Sequence, residues 1–349
     1  MIDWITGLST EGFASLLSYT ISVITSFYWA LLGIRYPPRQ SERRSYPSVS
    51  LLIPAHNAEK VIGALLKSLR SQQYPASCEV ILVLDRCTDK TKTVVQEAEL
   101  PFPLRIIEIE RVPQSWTPKR YALWQAAAQA QYEWCVVLDA DVEVGNQWLI
   151  HLMEGGEGRV AGLGRGWLKA GDSFFSWIAA YEAALVQVES IGRALWGFPY
   201  MSTGRGWAVR REWLKAGLYA WREELSGDDD LTLQLLPKGS IQVTRAWTLS
   251  PAPSTFLAAF YRKWRHLQSA RHYPFGLQLS LAIPPFLQVV LLLLSPFAQI
   301  PILFVLLTKM IVLWRYEYKH PCMVWWAEWV VLVLQCLYPI GVWWRRYQW

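Results

Sequence analysis

Apolar positions are unevenly spread along the chain, with long apolar stretches at both ends. Residues 13–34 carry no charged side chain over 22 positions, which is enough for a helix to cross a hydrocarbon core of about 30 Å. Residues 277–314 and 323–344 are apolar again, and Pro296 is expected to separate two helices in the first of these stretches. The pattern predicts one N-terminal and two or three C-terminal transmembrane helices, the smaller number if residues 277–295 form a re-entrant segment.

Between residues 47 and 250, short apolar runs of strand length alternate with segments of helical periodicity. The strand-like runs are 48–55, 78–84, 104–110 and 135–138, and the helical segments are 59–73, 90–98 and 118–130. Strands that alternate with helices at this spacing predict an α/β domain with a mostly parallel sheet. Ligands of such sheets bind beyond the carboxyl ends of the strands.

Acidic residues follow two of the predicted strands. Asp85 ends the second strand, and Asp139 and Asp141 end the fourth, so all three are expected at one edge of the sheet. Two carboxylates with one residue between them suit a hard divalent cation, Mg²⁺ or Mn²⁺, that keeps positions open for phosphate oxygens. The segment predicts a metal site that also binds a diphosphate, and Glu143, the next acid in the alternation, is given no role.

A second acidic cluster, Asp228, Asp229 and Asp230, stands where a helix is predicted to begin. Aspartates at the N-cap and in the first turn stabilise a helix, and one of the three is expected to do only that. Three in a row exceed what capping requires. One of them is therefore a candidate general base that takes a proton from an attacking hydroxyl.

Composition and charge indicate a membrane protein. The chain has 21 Trp and 52% hydrophobic residues, which suggests apolar spans with aromatic belts. The net charge of +6 comes from basic residues beside the apolar ends, where anionic lipid headgroups explain them and no nucleic acid is needed. Arg35, Arg39, Arg43 and Arg44 follow the first span and place the residues after it in the cytoplasm. Five cysteines without a C-x-x-C pair predict neither a disulfide framework nor a zinc site.

The order of these motifs resembles that of the membrane-bound family 2 glycosyltransferases, inverting enzymes with a GT-A nucleotide-sugar domain flanked by transmembrane helices. The likeness covers residues 48 to about 275 by motif. It implies an N-terminal transmembrane helix at 1–35, a basic linker at 36–47, a GT-A domain at 48–250, an amphipathic interfacial segment at 251–276, C-terminal transmembrane helices at 277–344 and a tail at 345–349.

The resemblance also implies where the nucleoside binds. The segment "PAHNAE" is similar to the loop that borders the nucleotide in the family, which makes Pro54, Asn57 and Glu59 candidate contacts. The turn "LVLDRCTDKT" is similar to the family's aspartate-containing turn, so Asp85 would hold the edge of the nucleobase. This assignment suits uracil, and UDP is the common donor nucleotide of the family.

Two further segments are similar to the parts of the family that hold the diphosphate. In "TPKRYALWQA", Lys119 would contact the diphosphate, although Pro118 stands where the family has glycine. "LDADVE" matches the metal-binding pair of aspartates, so Asp139 and Asp141 would hold the metal at the nucleotide, with Asp141 preferred as the direct ligand.

The candidate base depends on how "SGDDDLTLQL" is aligned with the family. Matching Leu231 to the pattern Thr-Glu-Asp-x-Asp-Leu gives Asp228 the role of base. Counting from a Gly-Asp-Asp variant of the pattern gives it to Asp229. The glutamate of the common pattern is Gly227 in this chain.

Two neighbouring segments of the basic interfacial helix fit the same family pattern, which gives two readings of this helix. Family members carry (Gln/Arg)-x-x-Arg-Trp on a helix that closes over the diphosphate. "RKWRH" fits with Arg262 and Arg265, and "QSARH" fits with Gln268 and Arg271, each with a histidine in place of Trp. The spacing to Tyr273 favours the first reading. A basic amphipathic helix that lies on the membrane explains the same segment, and both interpretations are compatible.

The resemblance implies a metal-dependent inverting enzyme that moves a sugar from a nucleotide-sugar to a hydroxyl of a lipid or lipid-linked acceptor. It would be integral to a bacterial-type plasma membrane, with its catalytic domain in the cytoplasm. A short processive polysaccharide synthase of the same family is the alternative activity. A non-catalytic membrane scaffold would not require three acidic motifs in this order, and a nucleotidyltransferase would require a glycine-rich loop near the first strand, which "PAHNAEK" lacks.

Overall fold

The structure, a computed structural model, describes residues 9–36, 46–154, 158–202, 205–237 and 239–342, with side chains up to residue 334. The strands are β1 (Val49–Ala55), β2 (Cys78–Asp85), β3 (Leu104–Ile109), β4 (Trp134–Val137), β5 (Glu143–Val144), β6 (Ala161–Lys169), β7 (Trp207–Arg210) and β8 (Ile241–Pro251). The helices are α1 (Thr10–Ile34), α2 (Ile62–Arg70), α3 (Thr91–Gln96), α4 (Pro118–Gln129), α5 (Trp148–Met153), α6 (Phe174–Leu195), α7 (Arg211–Ala220), α8 (Asp230–Leu233), α9 (Phe256–Ala270), α10 (Phe275–Leu293), α11 (Gln299–Arg315) and α12 (Val324–Val342).

The strands form one sheet in the order β3-β2-β1-β4-β7-β6-β8-β5. β1 is parallel to β2 and β4, β2 is parallel to β3, and β6 is parallel to β8. β7 is antiparallel to both of its neighbours, and β5 is antiparallel to β8. The predicted α/β domain with a mostly parallel sheet is confirmed, and its second half is mixed rather than parallel.

The central strands are buried on both faces, which explains why they are continuous apolar runs in the sequence. Successive residues of a strand point to opposite faces. Leu52 of β1 accordingly packs with Ile81 in the core beneath α4 and α6. Its neighbours Leu51 and Ile53 pack with Leu82 in the core beneath α2 and α5. The edge that follows these strands is thus held rigidly by two layers of helices.

Apolar helices flank the α/β domain, as the hydropathy pattern predicts. Within the described ranges, α1 and α10 are long and apolar enough to cross a membrane, and Pro321–Leu334 is a shorter apolar helix. The predicted break near Pro296 is present, because α10 ends at Leu293 and α11 begins at Gln299. The basic residues predicted to orient the first span lie outside the described residues, except for Arg35: they are Arg39, Arg43 and Arg44.

Pro284 and Pro285 lie inside α10 without ending it. A proline removes the N–H that would bond the carbonyl four residues earlier, which for Pro284 is the carbonyl of Ser280. Arg193, at the end of α6, supplies a replacement, since its Nη2 donates to the Ser280 oxygen at 2.8 Å. The proline therefore leaves a carbonyl that joins α10 to the α/β domain.

Candidate active site

A cavity of about 170 Å³ lies at the edge of the sheet where the sequence predicts ligands. Its walls come from the start of α4, the segment after β4, the ends of β6 and β8, the loop before α8, and α9. Its charged lining consists of four acids and four bases: Asp139, Asp141, Asp228, Asp229, Lys119, Arg205, Arg262 and Arg265. The formal charges of these side chains balance, so the cavity concentrates both signs at short range.

Lys119, in the first turn of α4, joins two acidic segments of the cavity. Its ammonium nitrogen lies 2.8 Å from Oδ1 of Asp139 and 3.3 Å from Oδ2 of Asp228. Burial alone would lower the pKa of Lys119, but Asp139 and then Asp228 raise it above its usual value, so the side chain is a cation. The predicted diphosphate contact, one predicted metal ligand and the first candidate base thus share one ion-pair network.

The next residue, Arg120, holds the loop that carries the candidate base. The side chain is 2% exposed, its Nε donates to the carbonyl of Glu224 at 2.9 Å, and its Nη2 donates to the carbonyl of Ser226 at 2.6 Å. Burial would raise the pKa of Asp228, but Lys119 and then Arg120 hold it below its usual value. Asp228 is therefore an ionised carboxylate at neutral pH. The sequence patterns did not indicate this role for Arg120.

The three consecutive aspartates have different surroundings. Oδ2 of Asp229 accepts hydrogen bonds from the backbone N–H of Ser202 at 3.1 Å and from its hydroxyl at 3.0 Å. Oδ2 of Asp230 accepts from the hydroxyls of Ser269 at 2.8 Å and Tyr273 at 2.7 Å. None of these contacts caps α8, whose N-cap residue makes no side-chain cap. The expectation that one aspartate only caps the helix is wrong, because two of them bind neighbouring segments instead.

Gly227 explains why this chain departs from the family pattern at the position before the aspartates. Its φ is +80°, a conformation that disfavours any side chain. A Cβ built there would lie 2.6 Å from Cβ of Ser269 in α9. The family's glutamate therefore does not fit here, because α9 packs directly against the loop that carries Asp228.

Asp139 and Asp141 are the predicted ligands of a divalent cation. Burial, and then the charge of Asp139, raise the pKa of Asp141, while Arg205 and Lys119 act in the opposite direction, so the bases of the cavity only partly compensate the two carboxylates. Among the residues that the structure describes, no group of three or more His, Cys, Asp or Glu side chains could hold a metal. The chain offers two carboxylate ligands, and substrate oxygens and water would complete the shell, which fits Mg²⁺ or Mn²⁺.

Arg205 is a cavity residue that the sequence patterns missed. The side chain is 8% exposed, and its Nη1 donates to the carbonyl of Gly166 in β6 at 3.0 Å. Burial lowers its pKa, while Asp139, Asp141 and Asp229 act in the opposite direction. The neighbouring Gly206 allows this approach, because a Cβ there would lie 2.7 Å from Cγ2 of Thr248. In the sequence, the only indication of Arg205 is the segment "GRGW", in which one basic residue lies between two glycines.

The structure separates the two readings of the interfacial helix. Arg262, Arg265 and His266 of the first reading line the cavity. Burial, and then Arg262 and Arg265, lower the pKa of His266 well below its usual value, so the residue that replaces the family's Trp is a neutral ring.

The residues of the second reading lie outside the lining of the cavity. Gln268 does not line the cavity, and Arg271 forms an exposed ion pair with Glu224 at 2.9 Å. The six-residue offset between the readings turns the side chains by roughly 240° on a helix of 3.6 residues per turn, so only one set can face the cavity.

The predicted nucleoside contacts gather beside the cavity rather than in its lining. Asn57 has a φ of +46°. Its Oδ1 accepts a hydrogen bond from the backbone N–H of Thr88 at 2.9 Å. Glu59 accepts from the N–H of Lys90 at 2.9 Å, and the loops after β1 and β2 are thereby joined. Asp85 ends β2, where Arg86 Nε lies 2.8 Å from its Oδ1.

Pro54, a predicted nucleotide contact, belongs to a strand rather than to a loop. It lies within β1, opposite Val83, and the strand continues to Ala55. It can still border a ligand at the end of β1, but the loop that follows begins after it.

Comparison with known proteins connects this site to a family. Residues 50–218 match the family model Glycosyl transferase family 2. The match runs from β1 to α7 and includes Asp85, Lys119, Asp139 and Asp141. It ends before Asp228 and before α9, so the candidate base and the interfacial helix lie beyond the matched region.

Two curated relatives illustrate the range of similar proteins. The chain is 31% identical over 214 residues to a beta-monoglucosyldiacylglycerol synthase of Nostoc sp., which covers 58% of this chain and 45% of that protein. It is 27% identical over 153 residues to a poly-beta-1,6-N-acetyl-D-glucosamine synthase of Staphylococcus epidermidis, which covers 41% of this chain and 35% of that protein. The chain thus spans less than half the length of these relatives.

A solved structure is similar over almost the whole chain. A mannosyltransferase from Pyrobaculum calidifontis, in complex with GDP-Man and Mn²⁺, superposes with a TM-score of 0.62 over 97% of this chain and 99% of that one, at 15% identity. At this identity the likeness shows the fold alone, and the mixed, mostly parallel sheet is consistent with GT-A. The family match alone identifies residues 50–218 of this chain as a family 2 glycosyltransferase domain.

Proposed function

We propose that the chain is a membrane-associated inverting glycosyltransferase that moves a sugar from a UDP-sugar to a hydroxyl of a lipid. The observation that carries this proposal is the position of Lys119 between Asp139 and Asp228. It brings the proposed metal site and the proposed base into contact with one ammonium group. A transferase needs this arrangement, because the leaving group and the attacking hydroxyl meet at the same carbon atom.

The donor diphosphate is assigned to the basic wall of the cavity. Asp139 and Asp141 would hold Mg²⁺ or Mn²⁺, which when bound offsets negative charge on the departing diphosphate. Lys119, Arg262 and Arg265 would contact the phosphate oxygens as charge-assisted donors. A divalent cation and a nucleoside diphosphate have opposite charges of similar size, so together they preserve the charge balance of the lining.

The nucleobase is assigned to the loops after β1 and β2. Asp85 supplies a carboxylate that would accept the imide N–H of uracil, and the joined loops of Asn57 and Glu59 border the same place. Family 2 membership and this carboxylate support uridine as the nucleoside. The Pyrobaculum protein was solved with GDP-Man, so a guanine donor is the outcome to compare in the assay.

The geometry favours Asp228 over Asp229 as the base. Both residues line the cavity. Asp229 already accepts two hydrogen bonds from Ser202, whereas Asp228 is ionised beside Lys119. Asp228 would accept the proton of the acceptor hydroxyl as its oxygen bonds to the anomeric carbon. The bond from that carbon to the diphosphate oxygen breaks, the electron pair leaves with the nucleoside diphosphate, and the configuration inverts.

The acceptor is proposed to be a membrane lipid or a lipid-linked hydroxyl. The apolar helices α1 and α10 support a position at the membrane, and the Nostoc relative is named for making a glycolipid. The staphylococcal relative is named as a polysaccharide synthase. A single added sugar on a lipid supports our proposal, whereas a ladder of polymer masses supports the processive alternative.

One experiment tests this proposal directly. The purified protein in lipid nanodiscs is incubated with each of a panel of UDP- and GDP-sugars, membrane lipid extract and Mg²⁺ or Mn²⁺, and products are identified by mass spectrometry. We expect one new lipid mass with a UDP-sugar, dependent on the cation and lost in Asp228→Asn. Full transfer in excess chelator would contradict the metal assignment, and no sugar transfer from any donor would contradict the function.

A further inference from the structure

Four aromatic side chains form an exposed patch where three helices begin. Phe174 and Phe175 start α6, Phe256 starts α9, and Trp326 lies in the first turn of α12. The ring centres of Phe174 and Trp326 are 5.6 Å apart, and those of Phe175 and Phe256 are 5.8 Å apart. We call these four residues the aromatic patch. Segments far apart in the sequence therefore converge on one surface.

The aromatic patch is open to solvent to an extent that packing within the chain does not explain. Phe174 is 52% exposed, Phe175 37%, Phe256 42% and Trp326 42%. Single exposed apolar residues are common on proteins, but contiguous groups of large apolar side chains mark binding surfaces. The aromatic patch therefore requires an apolar partner outside the described chain.

The aromatic patch adjoins the proposed active site. Leu168 and Pro251 line the cavity at the ends of β6 and β8, where Lys169 pairs with Pro251. The segments that follow these two strands lead directly to the aromatic patch: β6 is followed by Phe174 and Phe175, and β8 by Phe256. Phe256 is five residues after Pro251, so it lies within about 18 Å of that wall even if the segment is fully extended. Whatever covers the patch is therefore close to this wall of the cavity.

The surroundings of the aromatic patch favour a lipid bilayer as the partner. Trp325, beside the patch, is 39% exposed, and Val333, about two turns further along the apolar helix α12, is 54% exposed. Aromatic residues that precede an apolar helix are typical of the membrane–water boundary.

We infer that the aromatic patch inserts into the headgroup region of the membrane and thereby places the mouth of the cavity at the bilayer surface. The inference rests on the proposed function, because it presumes that the protein works at a membrane. It adds the surface that makes the contact, which includes the start of α6 in the catalytic domain as well as the interfacial helix. A lipid hydroxyl at headgroup level can then reach the cavity without leaving the bilayer.

A fluorescent label tests this placement without any assay of activity. In a chain whose five cysteines are replaced by alanine, bimane is attached at Phe175→Cys, and the protein is reconstituted into vesicles that contain lipid spin-labelled near the headgroup. The matched control is Tyr219→Cys, since Tyr219 of α7 is an aromatic residue, 57% exposed, outside the patch. We expect the spin-labelled lipid to quench the label at position 175 and to leave the label at position 219 unquenched.

The other outcomes overturn the inference. Quenching of both labels by aqueous iodide, with no effect of the lipid label, would show that the patch faces water. Protection of position 175 from both quenchers would show that protein covers it, such as a second copy of this chain. Because the measurement does not require turnover, failure of the proposed sugar transfer leaves its result interpretable.

Activity supplies a second test. In Phe175→Ser with Phe256→Ser, the loss of two interfacial rings should lower transfer to lipid in nanodiscs by about tenfold or more. Release of nucleoside diphosphate by donor hydrolysis should be unchanged, because neither residue lines the cavity. Tyr219→Ser should change neither rate. Equal loss of hydrolysis and transfer would overturn the inference, since it would show damage to the active site rather than to membrane contact.

Discussion

The ammonium nitrogen of Lys119 lies 2.8 Å from Oδ1 of Asp139, in a cavity whose acids and bases balance. The lysine occurs where the family pattern has its diphosphate contact, although a proline precedes it. Pro118 is the first residue of α4, a position where proline costs no hydrogen bond because the N–H there has no partner within the helix. The departure from glycine therefore leaves the lysine in place.

Replacing Lys119 by methionine should impair donor binding and turnover together. The change keeps the length of the side chain but removes the charge that pairs with Asp139 and Asp228. We expect kcat/KM for the nucleotide-sugar to fall by about 100-fold or more, as for loss of a donor to developing negative charge. Steady-state kinetics measure this, with Lys92→Met as the control because Lys92 pairs with Glu108 on an exposed surface. A near-normal KM and kcat would contradict the role of Lys119.

The two candidate bases should respond differently to the same substitution. Asp228→Asn removes the proton acceptor and should lower kcat by about 100-fold to 10,000-fold. Asp229→Asn retains an oxygen that can accept from Ser202, and should lower kcat by less than about tenfold. Single-turnover transfer assays at saturating donor measure both. If Asp229→Asn abolishes transfer and Asp228→Asn does not, the alternative alignment is correct.

Asp230 should make stability depend on pH. Burial, and then Asp229, raise its pKa well above 3.8. The unfolded chain therefore loses this proton at lower pH than the folded chain, and folding stability falls as pH rises through the folded pKa. Asp230→Asn cannot ionise and keeps an acceptor for Ser269 and Tyr273. Thermal unfolding should show the variant gaining about 3 °C or more over the natural chain between pH 5 and pH 8.

A matched variant separates this effect from a general change in charge. Asp172→Asn removes a carboxylate that is exposed to solvent, and its unfolding temperature should follow that of the natural chain at every pH. If the unfolding temperatures of Asp230→Asn and the natural chain changed in parallel with pH, Asp230 would be ionised in the folded state as readily as in the unfolded state.

The sequence predicted the parallel half of the sheet and much less of the mixed half. β1 and β2 are buried on both faces and are therefore continuous apolar runs. β8 instead alternates the buried polar residues Gln242, Thr244 and Thr248 with the buried Val243 and Ala246, so its buried positions do not form a continuous apolar run. Strand detection by apolar runs fails where buried positions are filled by hydrogen-bonded side chains.

In the candidate site, too, some residues could be predicted from the sequence and others could not. Asp139 and Asp228 follow family motifs, and the strand order predicted that acids would meet at one edge. Arg205 is placed by the close approach of Gly206 to Thr248, a tertiary contact that no local pattern records. The choice of Arg265 over Arg271 was predictable, because the spacing to Tyr273 favours it, and α9 does present Arg265 to the cavity.

Lys309 in α11 and Glu328 in α12 form a buried ion pair. Removing the charge of one partner should lower the free energy of unfolding far more than removing the charges of both. The ammonium group contacts the carboxylate and also donates to Gln288 at 3.0 Å, and the hydroxyl of Tyr181 donates to Glu328 at 2.5 Å. Lys309→Met leaves a carboxylate buried without a counter-charge, and should cost about 3–5 kcal/mol of unfolding free energy.

Adding Glu328→Gln to Lys309→Met should recover much of that loss, because glutamine is neutral and still accepts from Tyr181. Unfolding in detergent micelles measures each variant, with Lys319→Met as the exposed control. A double variant no more stable than Lys309→Met would show that the pair does not act as a unit.

Gly227→Ala should disable the enzyme through the contact between the catalytic loop and α9. The position has φ +80°, and the added Cβ would lie 2.6 Å from Cβ of Ser269, so either the loop or the helix must move. Gly239→Ala is the matched control, because φ is +79° there and nothing lies within 4 Å of the added Cβ. Both variants should lose about 1–3 kcal/mol from backbone strain, but only Gly227→Ala should also lose transfer activity, since the shift displaces Asp228 and the basic wall of α9 together. Unfolding temperatures and transfer rates of the two variants measure this difference, and equal activity in both would mean that α9 does not fix the position of the base.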